Sequence, residues 1–188
     1  MYDSGAITQA TFQIKFDWGS SAFEFHQRHT DVFIAIDVFS FSYFVEHADN
    51  DNVTAFTKLR RLGRIAQPVL FGCLRNAEAV AAEALKMGSR VTVIAVGDEI
   101  GMLGFRPNFE DLMGAGAVIT YLNGTKSTQA ESAEDSFKYN LPDMNKMLGR
   151  CAGGKLLLSH SSDDALSFVA ELNAARVSPS LHETRSYT

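Results

Sequence analysis

Three groups of side chains in this sequence have the types that phosphate or metal chemistry needs. Asp37 ends the apolar run 32–36 and is followed by small polar residues, Ser40 and Ser42, within two further turns of chain. Arg75 and Asn76 follow the apolar segment 68–72, and Glu110 and Asp111 open a segment rich in small apolar residues, 109–119. An ionised aspartate at the end of a buried run is costly unless a cation, a cluster of donors or water meets it. Asp37, Glu110 and Asp111 supply hard oxygen ligands, which suit magnesium, an ion that keeps several waters and takes one or two carboxylates plus substrate phosphate. Arg75 beside a helix start joins a guanidinium to backbone N–H groups aimed at one anion, and Asn76, Ser40 and Ser42 add neutral donors for the same oxygens. Each group also has a plainer reading: Asp37 and Asn76 as helix caps, Glu110 and Asp111 as first-turn acids, Arg75 as a surface ion-pair donor.

The elements that must position these residues follow from periodicity. Phe12, Ile14, Phe16 and Trp18 alternate with Gln13, Lys15 and Asp17, the period of a half-buried strand, stopped by Gly19. A short helical pattern over 22–29 leads to the strand that ends at Asp37, and a helix begins near Ser42. Residues 54–62 read as a helix stopped by Gly63. Strand 68–72, the Ala-rich helix 77–87 closed by Gly88, and strand 90–97 form a strand–helix–strand unit, which predicts a parallel pair. Glu110 and Asp111 start a helix, after which 117–122 reads either as its end or as another strand. The stretch 125–136 is polar and acidic and reads as surface, 143–150 as a short helix, and Ser161, Ser162, Asp163 and Asp164 as the capping signal for a helix carrying Ala165, Val169 and Leu172. The chain after Asn173 reads as a fraying tail. Together these predict an α/β fold, a three-layer α/β/α sandwich around a mostly parallel sheet, with 1–188 as one domain and the three polar groups converging at the carboxyl edge.

Bulk properties exclude several classes. The 188 residues carry a net charge of −5, with 46% hydrophobic and 21% charged residues. That balance argues against a nucleic-acid surface, which needs clustered Lys and Arg; Lys58, Arg60, Arg61 and Arg64 read as a solvated helix face. No apolar run reaches the ~20 residues that span a bilayer, and no signal peptide opens the chain, so a cytoplasmic protein is expected. Cys73 and Cys151 lack metal spacing and read as free thiols, Cys73 being a candidate nucleophile; His26 and His29 read as a solvated helix face. There is no dinucleotide fingerprint, phosphate-binding P-loop or nucleophile elbow. Phe23, Phe25 and Phe41 read as exposed and point to a homodimer.

The motifs Ile-Asp-Val-Phe-Ser-Phe-Ser (36–42), Phe-Gly-Cys-Leu-Arg-Asn-Ala-Glu-Ala-Val-Ala (71–81) and Phe-Glu-Asp-Leu-Met-Gly-Ala-Gly-Ala-Val-Ile (109–119) stand in the order found in the 2-phosphosulfolactate phosphatase family, which this chain resembles. Phe-Asp-Trp-Gly (16–19) and Asp-Asp-Ala-Leu-Ser-Phe-Val-Ala-Glu-Leu-Asn (163–173) are similar to that family's two ends. The resemblance implies a cytoplasmic, magnesium-dependent phosphatase of α/β/α architecture that hydrolyses phosphate esters of 2-hydroxy acids such as sulfolactate. It places the family's acid on Asp37, its Arg-Asn pair on Arg75 and Asn76, and its Glu-Asp pair on Glu110 and Asp111. The chain departs from the pattern twice. Ser40 stands where many members carry arginine, and only 43–72 separates Ser42 from Cys73, where the family has a longer middle section. A second class of reading follows, a phosphate-binding or carboxylate-binding scaffold that kept the fold without turnover.

Overall fold

A computed structural model describes residues 7–47 and 65–181. The predicted helix 54–62 and its basic residues lie outside the described residues. Four strands form one parallel sheet in the order β1-β4-β2-β3: β1 Ile14–Trp18, β2 Val32–Ile36, β3 Val69–Gly72 and β4 Val91–Ala95. The chain is an α/β/α sandwich, as the alternation of strands and helices predicts.

Both faces of the sheet are apolar because helices cover both. Val32, Ile34 and Ile36 of β2 with Val91, Val93 and Ala95 of β4 face one layer, built from α3 (Ala77–Met87), α4 (Phe109–Thr120) and α5 (Thr128–Asn140). Phe33, Ala35, Phe71 and Ile94 face the other, where α1 (Ser21–His26) supplies Phe23 and α2 (Val38–His47) supplies Phe41 and Val45. Phe23 pairs with Phe33 and Phe41 with Phe71, each with ring centroids 5.2 Å apart. Phe23 and Phe41 are therefore core residues and not the exposed ones expected; Phe25 does face solvent. Helices α6 (Met144–Arg150), α7 (Ala152–His160) and α8 (Asp163–Ala170) complete the first layer through Leu148, Leu166 and Val169.

Several local expectations change in the tertiary context. The strand–helix–strand unit is parallel, but β2 lies between β3 and β4. Residues 117–120 end α4 and form no strand, and the polar stretch after Ser127 is helix α5, whose buried Ala130, Ala133 and Phe137 pack inward. The segment after Asn173 does not fray through Leu181: Phe71 N–H donates to the Pro179 carbonyl, and Leu70 and Ser180 form an antiparallel bridge. His26 is buried, its ring nitrogens 3.1 Å from the Thr8 carbonyl and 2.7 Å from the Asp17 carboxylate, because α1 folds back over the end of β1.

Lys15 departs most from the half-buried reading of β1. Its side chain is wholly enclosed, and Nζ donates to the carbonyls of His29 at 2.7 Å and Phe12 at 3.4 Å, with no carboxylate among the described residues bonded to it. Burial, then repulsion from Arg90, pulls its pKa down to about 8, against a weaker pull from Asp31. Between that value and the ordinary 10.5 the unfolded chain binds the extra proton, so stability rises as pH increases through this window. Lys15→Met is expected to stabilise the protein near pH 7 by roughly 1 kcal/mol, after allowance for screening and for two lost hydrogen bonds. Urea unfolding at pH 7 and pH 10 checks this: the advantage over wild type must shrink at pH 10, and an unchanged difference would refute the assignment.

Candidate functional site

The strand order sets where a site can form. From β2 the chain moves to β3 on one side, then crosses to β4 on the other, so a crevice opens beyond the carboxyl ends of β2 and β4. Asp37 leaves β2 and Gly97 follows β4, and Val96 N–H donates to the Ile36 carbonyl between them. A cavity of about 460 Å³ lies there, walled by Asp37, Ser40, Glu110, Asn108, Asp98 and Arg106, with Phe39 and the α7 residues Gly153, Leu156, Leu157 and His160 on its apolar side.

Asp37 holds two positions at once. Its Oδ1 accepts from the Ser40 amide at 2.9 Å and its Oδ2 from the Ser40 hydroxyl at 2.8 Å, which caps the first turn of α2, while the residue remains on the cavity wall. The cap reading and the functional reading of Asp37 are thus compatible. Glu110 lies opposite, in the first turn of α4, and its enclosed Oε2 finds no hydrogen-bond donor among the described residues. A Cβ on Gly153 would stand 2.2 Å from Glu110 Oε1 and 2.6 Å from Phe39, so α7 approaches the carboxylate closely only because residue 153 has no side chain.

Asp111 sits beneath the cavity floor, fully buried. Its Oδ1 accepts from Val38 N–H and its Oδ2 from Gly97 N–H, both at 2.9 Å, so one carboxyl group staples the ends of two adjacent strands. Gly97 takes this place with φ of +65°, a left-handed conformation that favours glycine. Burial, then the charge of Asp37, pushes the Asp111 carboxyl well above the usual carboxylate range, against the opposing pull of the two amides and with a further push from Glu110.

The structure brings Asp37, Ser40 and Glu110 to the cavity wall and puts the other expected residues behind it. Ser42 is enclosed, its hydroxyl donating to the Val38 carbonyl at 2.6 Å. The Arg75 side chain is 4% exposed; it donates to the Phe168 carbonyl at 2.7 Å, pairs with Glu171, and lies 3.7 Å over the Phe168 ring. Asn76 accepts from Cys73 N–H and donates to the carbonyls of Phe71 and Val177, which ties the turn after β3 to the C-terminal segment. Burial raises the Cys73 thiol, and burial with Glu110's charge pushes Cys151 up to about 12, so neither thiol has the depressed pKa of a cysteine nucleophile. Arg106 and His160 escaped the sequence reading because their neighbours carry no periodic signal; the spacing of Gly101 and Gly104 within 98–106 was the available hint of a hairpin.

No group of three or more His, Cys, Asp or Glu among the described residues forms a ready-made metal cage. The donor set does fit an ion that needs only one or two carboxylates, since Asp37 and Glu110 face one cavity and one oxygen of Glu110 is enclosed without a donor.

An open parallel sheet with an acid-walled cavity at its switch point defines an α/β protein built to receive a small polar ligand at its carboxyl edge. The model of the 2-phosphosulpholactate phosphatase family matches residues 49–184, a stretch that includes Arg75, Asn76, Arg106, Glu110 and Asp111 and begins after Asp37. The chain belongs to that family. No curated protein matches the sequence. No helix among the described residues is long and apolar enough to cross a membrane.

Proposed function

We propose that the chain is a magnesium-dependent phosphatase that hydrolyses phosphate esters of 2-hydroxy acids, with 2-phosphosulfolactate as the model substrate. The observation that carries this reading is the pair of carboxylates, Asp37 and Glu110, on one cavity wall, with Glu110 Oε2 enclosed and lacking a donor among the described residues. Membership of a phosphatase family supports it.

In this reading Asp37 and Glu110 hold the ion. When bound, magnesium supplies positive charge that neutralises the phosphate oxygens. Water attacks phosphorus, the bond from phosphorus to the 2-oxygen breaks, and the departing oxygen takes a proton from solvent. Asp37 serves as ligand or as the base that takes the water's proton, and both uses need its charge. Ser40 fixes its orientation through two hydrogen bonds. Asp111 acts as a positioning residue beneath Asp37, and Arg75, Asn76 and Ser42 act through the frame: the turn after β3, the seat of α8 and the first turns of α2. An aspartyl-phosphate intermediate at Asp37 lacks the second acid two residues on, because position 39 is phenylalanine. We further assign the protein to the cytoplasm; a homodimer is supported by the exposed Phe25, Met102 and Phe105.

The withdrawn Arg75 favours one competitor, a binding protein without turnover. Phosphate release from 2-phosphosulfolactate and phospholactate, measured with magnesium and with EDTA, separates the two. Release that EDTA abolishes is the expected result; silence from folded protein on every ester would establish the binding protein instead.

A further inference from the structure

Arg106 is the only arginine or lysine on the cavity wall among the described residues, and it stands on an element whose length and ladder place it there. Two short strands, β5 Asp98–Glu99 and β6 Phe105–Arg106, pair antiparallel with Asp98 opposite Arg106, between the end of β4 and the start of α4. Across that pair Arg106 Nη2 donates to Asp98 Oδ2 at 2.8 Å. The enclosed Nε–H has no acceptor among the described residues. Phe105 anchors the hairpin from behind, its ring centroid 6.3 Å from that of Trp18.

The charges on the wall make this cation consequential. Asp37, Asp98 and Glu110 all face the cavity, so an anionic ligand meets three carboxylates. An ion held by Asp37 and Glu110 answers for a phosphate. It leaves any second anionic group of the ligand against Asp98, unless Arg106 receives it. A planar, partly exposed guanidinium suits a carboxylate in forked geometry. Arg75 is turned away under α8, so this role falls to Arg106 alone on the described wall.

Resting on the phosphatase reading, we propose that Arg106 is the specificity-determining residue: it takes the carboxylate next to the ester carbon and thereby selects phosphate esters of 2-hydroxy acids over simple phosphate monoesters. Asp98 preorganises the guanidinium and holds it at the wall while the cavity is empty.

The test is calorimetric titration of the intact protein, in magnesium buffer, with two phosphonates that cannot be hydrolysed. One, 2-methyl-3-phosphonopropanoate, carries both anions of phospholactate; the other, 2-methylpropylphosphonate, has a methyl in place of the carboxylate. Wild type should prefer the first by roughly tenfold to a hundredfold, the range of one charge-assisted pair. Arg106→Gln should erase that preference, weakening the carboxylate-bearing compound more than the alkylphosphonate, and Arg106→Lys should restore only part of it. If wild type binds both compounds equally, or if Arg106→Gln keeps the preference, the role of Arg106 is overturned while the phosphatase reading stands. If neither compound binds, the phosphatase reading fails and this inference fails with it. Unchanged far-ultraviolet dichroism and melting of the variants show that the side chain is read and not the fold, since its head is 42% exposed.

Discussion

Asp37→Asn is expected to abolish the proposed magnesium-dependent phosphate release, by at least about a thousandfold in kcat, while the protein stays folded. The separation of these two effects rests on what Asp37 does locally. Its oxygens accept the Ser40 amide and hydroxyl and so cap α2. Asparagine is as good a cap as aspartate, and its amide oxygen keeps the bond to the Ser40 amide, so the first turn of α2 persists. What disappears is the negative charge that both candidate roles, ion ligand and general base, require. Melting within a few degrees of wild type, with kcat reduced to background, is the expected pair of results. Turnover within tenfold of wild type would remove Asp37 from the chemistry and leave it a cap.

Asp111→Ala is expected to produce the largest combined effect on stability and activity. Removing the carboxyl leaves Val38 N–H and Gly97 N–H buried without their acceptor, at about 1–3 kcal/mol each. Relief of a buried acid beside Asp37 offsets part of this, and a net loss of roughly 2–4 kcal/mol is expected near neutral pH. The pH dependence gives the sign. The folded-state pKa of Asp111 lies above its unfolded value, so its contribution is fullest below about pH 4 and declines as pH rises toward the folded pKa. The variant's deficit in unfolding free energy should therefore be larger at pH 5 than at pH 8. Activity should fall about a hundredfold, because the two amides released are those that set the start of α2, which carries Asp37, and the Gly97 turn, which leads to the Arg106 hairpin. A deficit that grows from pH 5 to pH 8 would mean that Asp111 is ionised and stabilising, contrary to the environment described.

The parallel sheet and its helices were legible in the sequence because their signals are local and strong: an apolar run ending in Asp37, Ala-rich α3 between Asn76 and Gly88, acids at the head of α4. The placement of Asp37 and Glu110 on one cavity wall was legible for the same reason, since the carboxyl end of a strand and the first turn of a helix converge in this architecture. What failed depended on partners distant in sequence. Arg75 was read as a clamp because it starts a helix, but a guanidinium goes to the nearest compatible acceptors, and α8, some ninety positions later, offers Phe168 and Glu171. Lys15 and His26 were read as solvated because alternation cannot show that α1 folds back over β1. Arg106 stood in a segment with no periodicity, where only pairing of Asp98 with Arg106 aims the side chain.

The C-terminal segment has a further consequence when it is seen together with β1. An open sheet ends in two strands whose outward amides can recruit another chain. At β3, Phe71 N–H is taken by Pro179 and the Phe71 carbonyl by Asn76. At β1, Ile14 N–H is taken by Thr125, and Gln9 folds its side-chain amide along the strand to satisfy both the N–H and the carbonyl of Phe16. The sheet is sealed at both margins without closing into a barrel. A second copy therefore cannot extend it by strand addition at these positions, and among the described residues the helical layers and the exposed hairpin are left for self-association. Assembly of this protein would thus be a matter of side chains, open to single surface substitutions, and the cover over the sheet's margins rests on Gln9, Thr125 and the segment carrying Pro179 and Ser180.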